Sequence, residues 1–200
     1  GEQMNTVADL AERYGFGEIR VSHEQNLVLA HVKQSDLFTL WQRLREAELE
    51  TANIGAITDM ITCPWLDYCT LATARSIPIA QKISEKFADQ SRQDLIGDLK
   101  IKISGCINAC GHHHAGHIGI LGLDKKGEEY YQITLGGRAD EKATIGQIAG
   151  PGLKADDVPL ALKRLVDRYR ELRSNKDETF IETFEREGME PFKDAIYAGA

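Results

Sequence analysis

Apolar positions along the first fifty residues repeat with two different periods. Val7, Leu10, Ala11 and Tyr14 recur at the three-and-four spacing of a helical face, which predicts a helix over 5–16 that Gly15 and Gly17 end. The runs at 18–22 (EIRVS) and 26–32 (NLVLAHV) are short and β-branched, and His23-Glu24-Gln25 joins them, so two strands are expected. A second helix follows over 35–47, with Ser35 as its N-cap and Leu37, Leu40, Trp41 and Leu44 on its apolar face. Trp41 is read as core. These elements form a small α+β unit, residues 1–52, and residues 53–200 form a second domain.

In the second domain the apolar stretch 53–62 (NIGAITDMIT) runs into a cysteine pair. A helix is expected over 70–89, with Ala72, Ile77, Ile79, Ala80 and Ile83 as its apolar positions. The segment 99–105 alternates, Leu99, Ile101 and Ile103 facing one way and Lys100 and Lys102 the other, which is a strand pattern. Two more strands are expected at 118–123 and 128–135, with Asp124-Lys125-Lys126-Gly127 turning between them. Gly136-Gly137 and Gly150-Pro151-Gly152 punctuate a loop region. Residues 155–173 form an amphipathic helix through Val158, Leu162, Leu165, Val166, Tyr169 and Leu172. A shorter helix near 178–187 and a final turn in PFKDAIYA complete an α+β chain without internal repeats.

Composition narrows the function classes. A chain of 200 residues can hold one domain plus a small subdomain. The net charge of -7 and the lack of a basic face argue against non-specific binding to nucleic acid. No apolar run approaches the roughly 20 residues that span a bilayer, so no membrane partner is expected. The start, GEQMNTVADLAERYG, lacks a signal-peptide pattern, which points to a cytoplasmic protein. Gly1 reads as a tag remnant, and the chain opens almost directly into a helix, as if cut from a longer one.

The four cysteines are paired: Cys63 and Cys69 in CPWLDYC, Cys106 and Cys110 in CINAC. In a reducing compartment they are thiols, and pairing of this kind suggests a metal. Sulfur ligands suit iron–sulfur clusters and zinc alike. Structural zinc usually takes closer pairs, so C-x3-C fits it and C-x5-C is wide. Spacing alone leaves a cluster, a zinc site and buried free thiols open. Gly105 and Gly111 flank the second pair, where glycine lets backbone N–H groups turn toward sulfur.

The pattern C-x5-C followed by S-G-C-x-N-x-C-G resembles the cluster signature of the sirohaem-dependent sulfite and nitrite reductases. HIGILGL and EYYQITLGG resemble the segment that follows it in that family. LAERYGFGEIRVSHEQNLVLAHV resembles its ferredoxin-like half-domain, and GHHHAGHIGILGLDKKGEEYYQ is most similar to the assimilatory sulfite-reducing members. The resemblance implies a ferredoxin-like half-domain followed by a mixed α/β sirohaem/4Fe-4S domain. It implies that Cys63, Cys69, Cys106 and Cys110 hold a [4Fe-4S] cluster and that Cys110 is also the axial ligand of sirohaem. The implied reaction is the six-electron reduction of sulfite to sulfide or of nitrite to ammonium.

On this resemblance the chain is the C-terminal half of its protein. The substrate-clamping cations belong to the missing N-terminal half, so no catalytic residue is assigned here. Arg20, Lys100 and Lys102 are read as surface charges. The implied partners are the missing half, an electron donor (flavoprotein or ferredoxin) and sulfite or nitrite. The isolated chain is expected to be inactive and to expose a half-interface through which it could dimerise. Asn108, Gln25 and Asn26 read either as cofactor contacts or as turn residues. His112, His113, His114 and His117 cannot all face one ion. They read as local hydrogen-bonding groups or an interface, or as contacts to sirohaem carboxylates. Trp65, Ile107 and Ser22 depart from the small residue, the proline and the threonine common in the family. Two other classes remain as alternatives, a stand-alone iron–sulfur electron carrier and a zinc-stabilised binding module.

Overall fold

The computed structural model describes every residue except Trp65, Asp67 and Ala200, so the family departure at Trp65 lies outside the described residues. The chain folds as two units, Gly1–Ala52 and Asn53–Ala200. In the first, helix α1 (Glu2–Tyr14) begins earlier than its apolar pattern and buries Val7, Leu10 and Ala11. Gly15 closes it, its N–H donating to the Ala11 carbonyl. A side chain there would meet the Ala30 carbonyl oxygen at 2.4 Å. Strands β1 (Ile19–Val21) and β2 (Leu27–Leu29) pair antiparallel, with Val21 opposite Leu27.

Helix α2 (Leu37–Glu46) differs from expectation at its start and on its face. A 3-10 turn over Gln34–Asp36 precedes it, and the Ser35 hydroxyl donates to the Asp36 carboxylate rather than capping the helix. Only Leu40 is buried, and Trp41 is 40% exposed, so Trp41 is not core. A two-stranded ribbon has too little surface to cover a stripe of four large side chains. Trp41 packs instead on Phe38, with ring centroids 5.6 Å apart, and under the Arg45 guanidinium at 5.0 Å.

The second unit contains β3 (Ile61–Thr62), α3 (Ser76–Lys86), α4 (Gln90–Ile96), β4 (Ile101–Ser104), β5 (Ile118–Lys125) and β6 (Glu128–Leu135). Strands β7 (Gln147–Ile148) and β8 (Leu153–Lys154) follow, then helices α5 (Val158–Leu172), α6 (Phe180–Glu187) and α7 (Glu190–Tyr197). The sheet order is β3-β4-β5-β6-β7, with β8 also on β6. Strands β3, β4 and β5 are parallel, whereas β5 and β6 form an antiparallel hairpin. Lys126 and Gly127 turn that hairpin, both with positive φ, as a two-residue turn matched to strand twist requires. Ile101, Ile103, Ile118, Ile120, Ile133 and Leu135 join α3 and α5 side chains in one core.

Four expectations change here. Helix α3 starts at Ser76, not at 70. A helix running through Pro78 from 70 would need a bond from a proline that has no N–H, whereas in the first turn of α3 that donor is not missed. The segment before it is bonded elsewhere, with the Thr73 and Ala74 N–H groups on the Gly105 carbonyl. Strand β4 is buried at all four positions, so Lys102, 9% exposed, is not a surface charge. Parallel strands are covered on both faces, and Gly116 sits against the Lys102 stem, where an added Cβ would lie 3.0 Å from the Lys102 Cβ. The loop region after Gly136 contains β7 and β8, and the tail forms a two-turn helix, α7. Among the described residues no helix is long and apolar enough to cross a membrane.

Candidate metal centre

The parallel pairing of β3 with β4 places the two cysteine motifs together. Thr62 is level with Ile103, and the Cys63 N–H donates to the Ile103 carbonyl at 3.2 Å. Both strands end at this point, Cys63 leaving one and Gly105-Cys106 the other. Carboxyl ends of parallel strands are where open sheets bind ligands. The loop from Cys69 folds back onto the same spot. Its Ala72 N–H donates to the Cys69 carbonyl, and its Thr73 and Ala74 N–H groups reach the Gly105 carbonyl at 2.9 and 3.0 Å.

Gly105 is the junction. Its N–H donates to Cys63 Sγ at 3.0 Å, and a Cβ on it would lie 2.7 Å from the Ala74 carbonyl oxygen. Gly111 is as tightly held, since its Cβ would meet the Ile103 oxygen at 1.9 Å. Neither glycine has positive φ, so close approach, not a left-handed backbone, demands them. The left-handed residue in the second motif is Ala109 (φ 57), and not Asn108, which is exposed. Short turns wind the motif onward, from Ala109 N–H to the Cys106 carbonyl and from His112 N–H to the Ala109 carbonyl.

The four thiols differ in access. Cys63 and Cys106 are buried, Cys69 is half-buried and Cys110 is exposed. Ser76, missed in the sequence, is buried beside Cys63, its hydroxyl donating to the Cys63 carbonyl at 2.8 Å and lying 3.5 Å from Sγ. A serine just ahead of Ile-Pro-Ile, where a proline fixes a helix start, was the available signal. An ion pair between Arg75 and Glu129 anchors the loop further, and Tyr131 donates to the Arg75 carbonyl at 2.8 Å and to Glu129 at 2.7 Å. Burial works against the Glu129 charge. The bonds from Arg75 and Tyr131 outweigh it and hold the carboxyl below its ordinary range.

The histidines divide as well. His117 is buried, and its Nδ1 accepts the Lys100 N–H at 3.2 Å. Burial, with Lys100 and Arg138 nearby, pushes its pKa down to about 4, against the opposing pull of Asp98 and Asp140. Burial first, and then His114, also lowers His113, while His112 is exposed with φ 51. Gln25 and Asn26 belong to the other unit. There they close the β1–β2 hairpin, with the Gln25 N–H on the Ser22 carbonyl and the Asn26 N–H on the Ser22 hydroxyl. Arg20 pairs with Glu18, and Lys100 is exposed.

Four cysteine thiols are the donor set that a [4Fe-4S] cluster takes. The Gly105 amide on Cys63 Sγ is the donor type that tunes cluster sulfurs. The Ser104 hydroxyl, buried beside Gly111 and without a hydrogen-bond partner among the described residues, is a spare donor at the second motif.

The profile of the Nitrite and sulphite reductase 4Fe-4S domain matches residues 55–199, a span that contains all four cysteines. That of the Nitrite/Sulfite reductase ferredoxin-like half domain matches residues 1–47. Ferredoxin–nitrite reductase of Synechococcus elongatus is 30% identical over 177 residues, covering 84% of this chain and 33% of that protein. Sulfite reductase (ferredoxin) 2 of Mycolicibacterium paratuberculosis is 29% identical over 163 residues, covering 77% of this chain and 28% of its own length. The structure of the NirA protein of Mycobacterium tuberculosis has the same fold, with a TM-score of 0.79 over 96% of this chain and 36% of its own, at 22% identity. The chain thus spans about a third of the length of the curated relatives it matches.

Proposed function

Because the chain belongs to the nitrite and sulphite reductase family, with the 4Fe-4S domain behind the ferredoxin-like half domain, we propose that it is the cluster-bearing part of a reductase that takes sulfite to sulfide or nitrite to ammonium. The half-domain is assigned to residues 1–52 and the cluster domain to 53–200, a division supported by the two units of the fold. The observation that carries the reading is the meeting of both cysteine motifs at Gly105, whose amide donates to Cys63 Sγ. Cys63, Cys69, Cys106 and Cys110 would hold a [4Fe-4S] cluster, and Cys110 would also ligate sirohaem. Its exposure supports that second role, since a shared thiolate must reach beyond its own loop. When bound, the two cofactors supply electron transfer and the iron at which the oxyanion is reduced.

This chain's residues hold and shield. Cys63 and Cys106 are buried, and the backbone at Gly105 and Gly111 packs too closely for any side chain there. Asn108, exposed two positions before Cys110, is a proposed sirohaem contact. The names of the relatives support ferredoxin as the donor. A covering segment from the rest of the protein is supported by the exposure of Phe16 (87%), Val21 (75%) and Phe38 (67%) in the first unit. The chain, with its thiols reduced, would act in the cytoplasm. The test is reduction of sulfite and of nitrite with reduced methyl viologen, by the complete protein and by this chain alone. Turnover of one anion by the complete protein only is expected, because preorganised cationic donors for the anion are required and are assigned to the remainder. Turnover by the isolated chain, or of neither anion by the complete protein, contradicts the proposal.

A further inference from the structure

We infer that Ser76 is a positioning residue for the cluster, holding Cys63 through its hydroxyl and sharing that hydroxyl's hydrogen between the Cys63 carbonyl and the Cys63 sulfur once the sulfur is a ligand; the inference rests on the cluster reading above. Ser76 is the first residue of α3 and has no exposed surface. Its Oγ stands 2.8 Å from the Cys63 carbonyl oxygen and 3.5 Å from Cys63 Sγ, on a sulfur that already accepts the Gly105 N–H at 3.0 Å. A hydroxyl has one hydrogen and two lone pairs. While Cys63 is a thiol, its S–H can donate to Ser76 Oγ, and the serine hydrogen goes to the Cys63 carbonyl.

A ligand thiolate can only accept. A lone pair of Ser76 Oγ facing it would then be repelled, and hydrogen bonds to an ionised partner are roughly twice as strong as neutral ones. The hydrogen is therefore drawn toward sulfur and shared between it and the Cys63 carbonyl, which stays 2.8 Å from Oγ. Adding one electron to the cluster makes its ligand sulfurs more negative, so a donor on Cys63 favours the reduced form and raises the potential. No bond forms or breaks in that step, the electron comes from the titrant, and the hydroxyl hydrogen stays on oxygen.

Thr73 supplies the control. Its hydroxyl holds the same loop, donating to the Gly105 carbonyl at 3.0 Å and the Gly122 carbonyl at 3.3 Å, so its bonds go to backbone oxygens. The experiment is a redox titration of the chain after anaerobic reconstitution with iron and sulfide, for wild type, Ser76→Ala, Ser76→Gly, Ser76→Thr and Thr73→Val. Ser76→Ala and Ser76→Gly are expected to become harder to reduce by up to about tenfold, about 59 mV for one electron. Ser76→Thr, which keeps the hydroxyl, and Thr73→Val stay at the wild-type potential. A wild-type potential in the alanine and glycine variants overturns the inference. So does an equal fall in Thr73→Val, which would assign the effect to loop position. A wild-type chain that takes up no cluster overturns the reading of the site itself.

Discussion

The imidazole of His117 is buried with its Nδ1 committed to the Lys100 N–H, and that bond exists only while Nδ1 carries no proton. Burial and the adjacent cations Lys100 and Arg138 hold its pKa near 4 in the fold, against about 6.5 in an unfolded chain. The unfolded state therefore binds the proton first on acidification. The stabilisation is complete above pH about 6.5, is lost as the pH falls toward 4, and reaches about 3 kcal/mol. Urea unfolding of the second unit between pH 7 and pH 4 should show this loss, and His117→Gln should remove most of it. An unchanged profile in the variant would show that other groups carry the acid sensitivity. The sequence disclosed the histidine tract but not this division of labour, because burial decides it. Lys102 shows the same limit: its alternation with Ile101 and Ile103 reads as solvent-facing, yet a parallel strand has both faces covered.

At the scale of elements, the patterns with strong periodicity were readable and the punctuation less so. The α5 stripe and the β5–β6 hairpin follow from spacing, though the turn expected over 124–127 narrows to Lys126-Gly127 because β5 pairs on through Lys125. The α3 boundary does not, since its apolar positions continue upstream through Ala72 while Pro78 and the bonds of Thr73 and Ala74 to Gly105 fix the start. Helix α4 was missed because its seven residues carry little periodicity. Its signal is Asp89, whose carboxylate accepts the Ser91 and Arg92 N–H groups. Helix α6 carries a reciprocal cap, in which the Thr179 hydroxyl accepts the Glu182 N–H and the Glu182 carboxylate accepts the Thr179 N–H. Thr179→Ala removes half of that exchange and should cost about 1 kcal/mol. Thermal unfolding checks this, and a transition unmoved from wild type would mean that packing of Phe180 and Phe184 alone sets the start of α6.

For the whole molecule, the motifs name four cysteines, and the sheet shows how the two loops that carry them come together. Two parallel strands, β3 and β4, end within one residue of each other and deliver both cysteine loops to Gly105. The pairing of those strands could not be read from the cysteine spacing, nor could the order of thiol exposure from buried Cys63 to exposed Cys110. The ferredoxin-like unit was legible as two helices and a hairpin, but its uncovered aromatic residues were not, because α2 buries only Leu40 where the pattern offered four side chains. The central claim is that four thiols act as one cluster site, and the most direct measurement is iron and acid-labile sulfide per chain after anaerobic reconstitution. The account predicts about four of each with a broad charge-transfer absorption, lost in Cys63→Ser. One tightly bound zinc per chain with no uptake of iron and sulfide would contradict it.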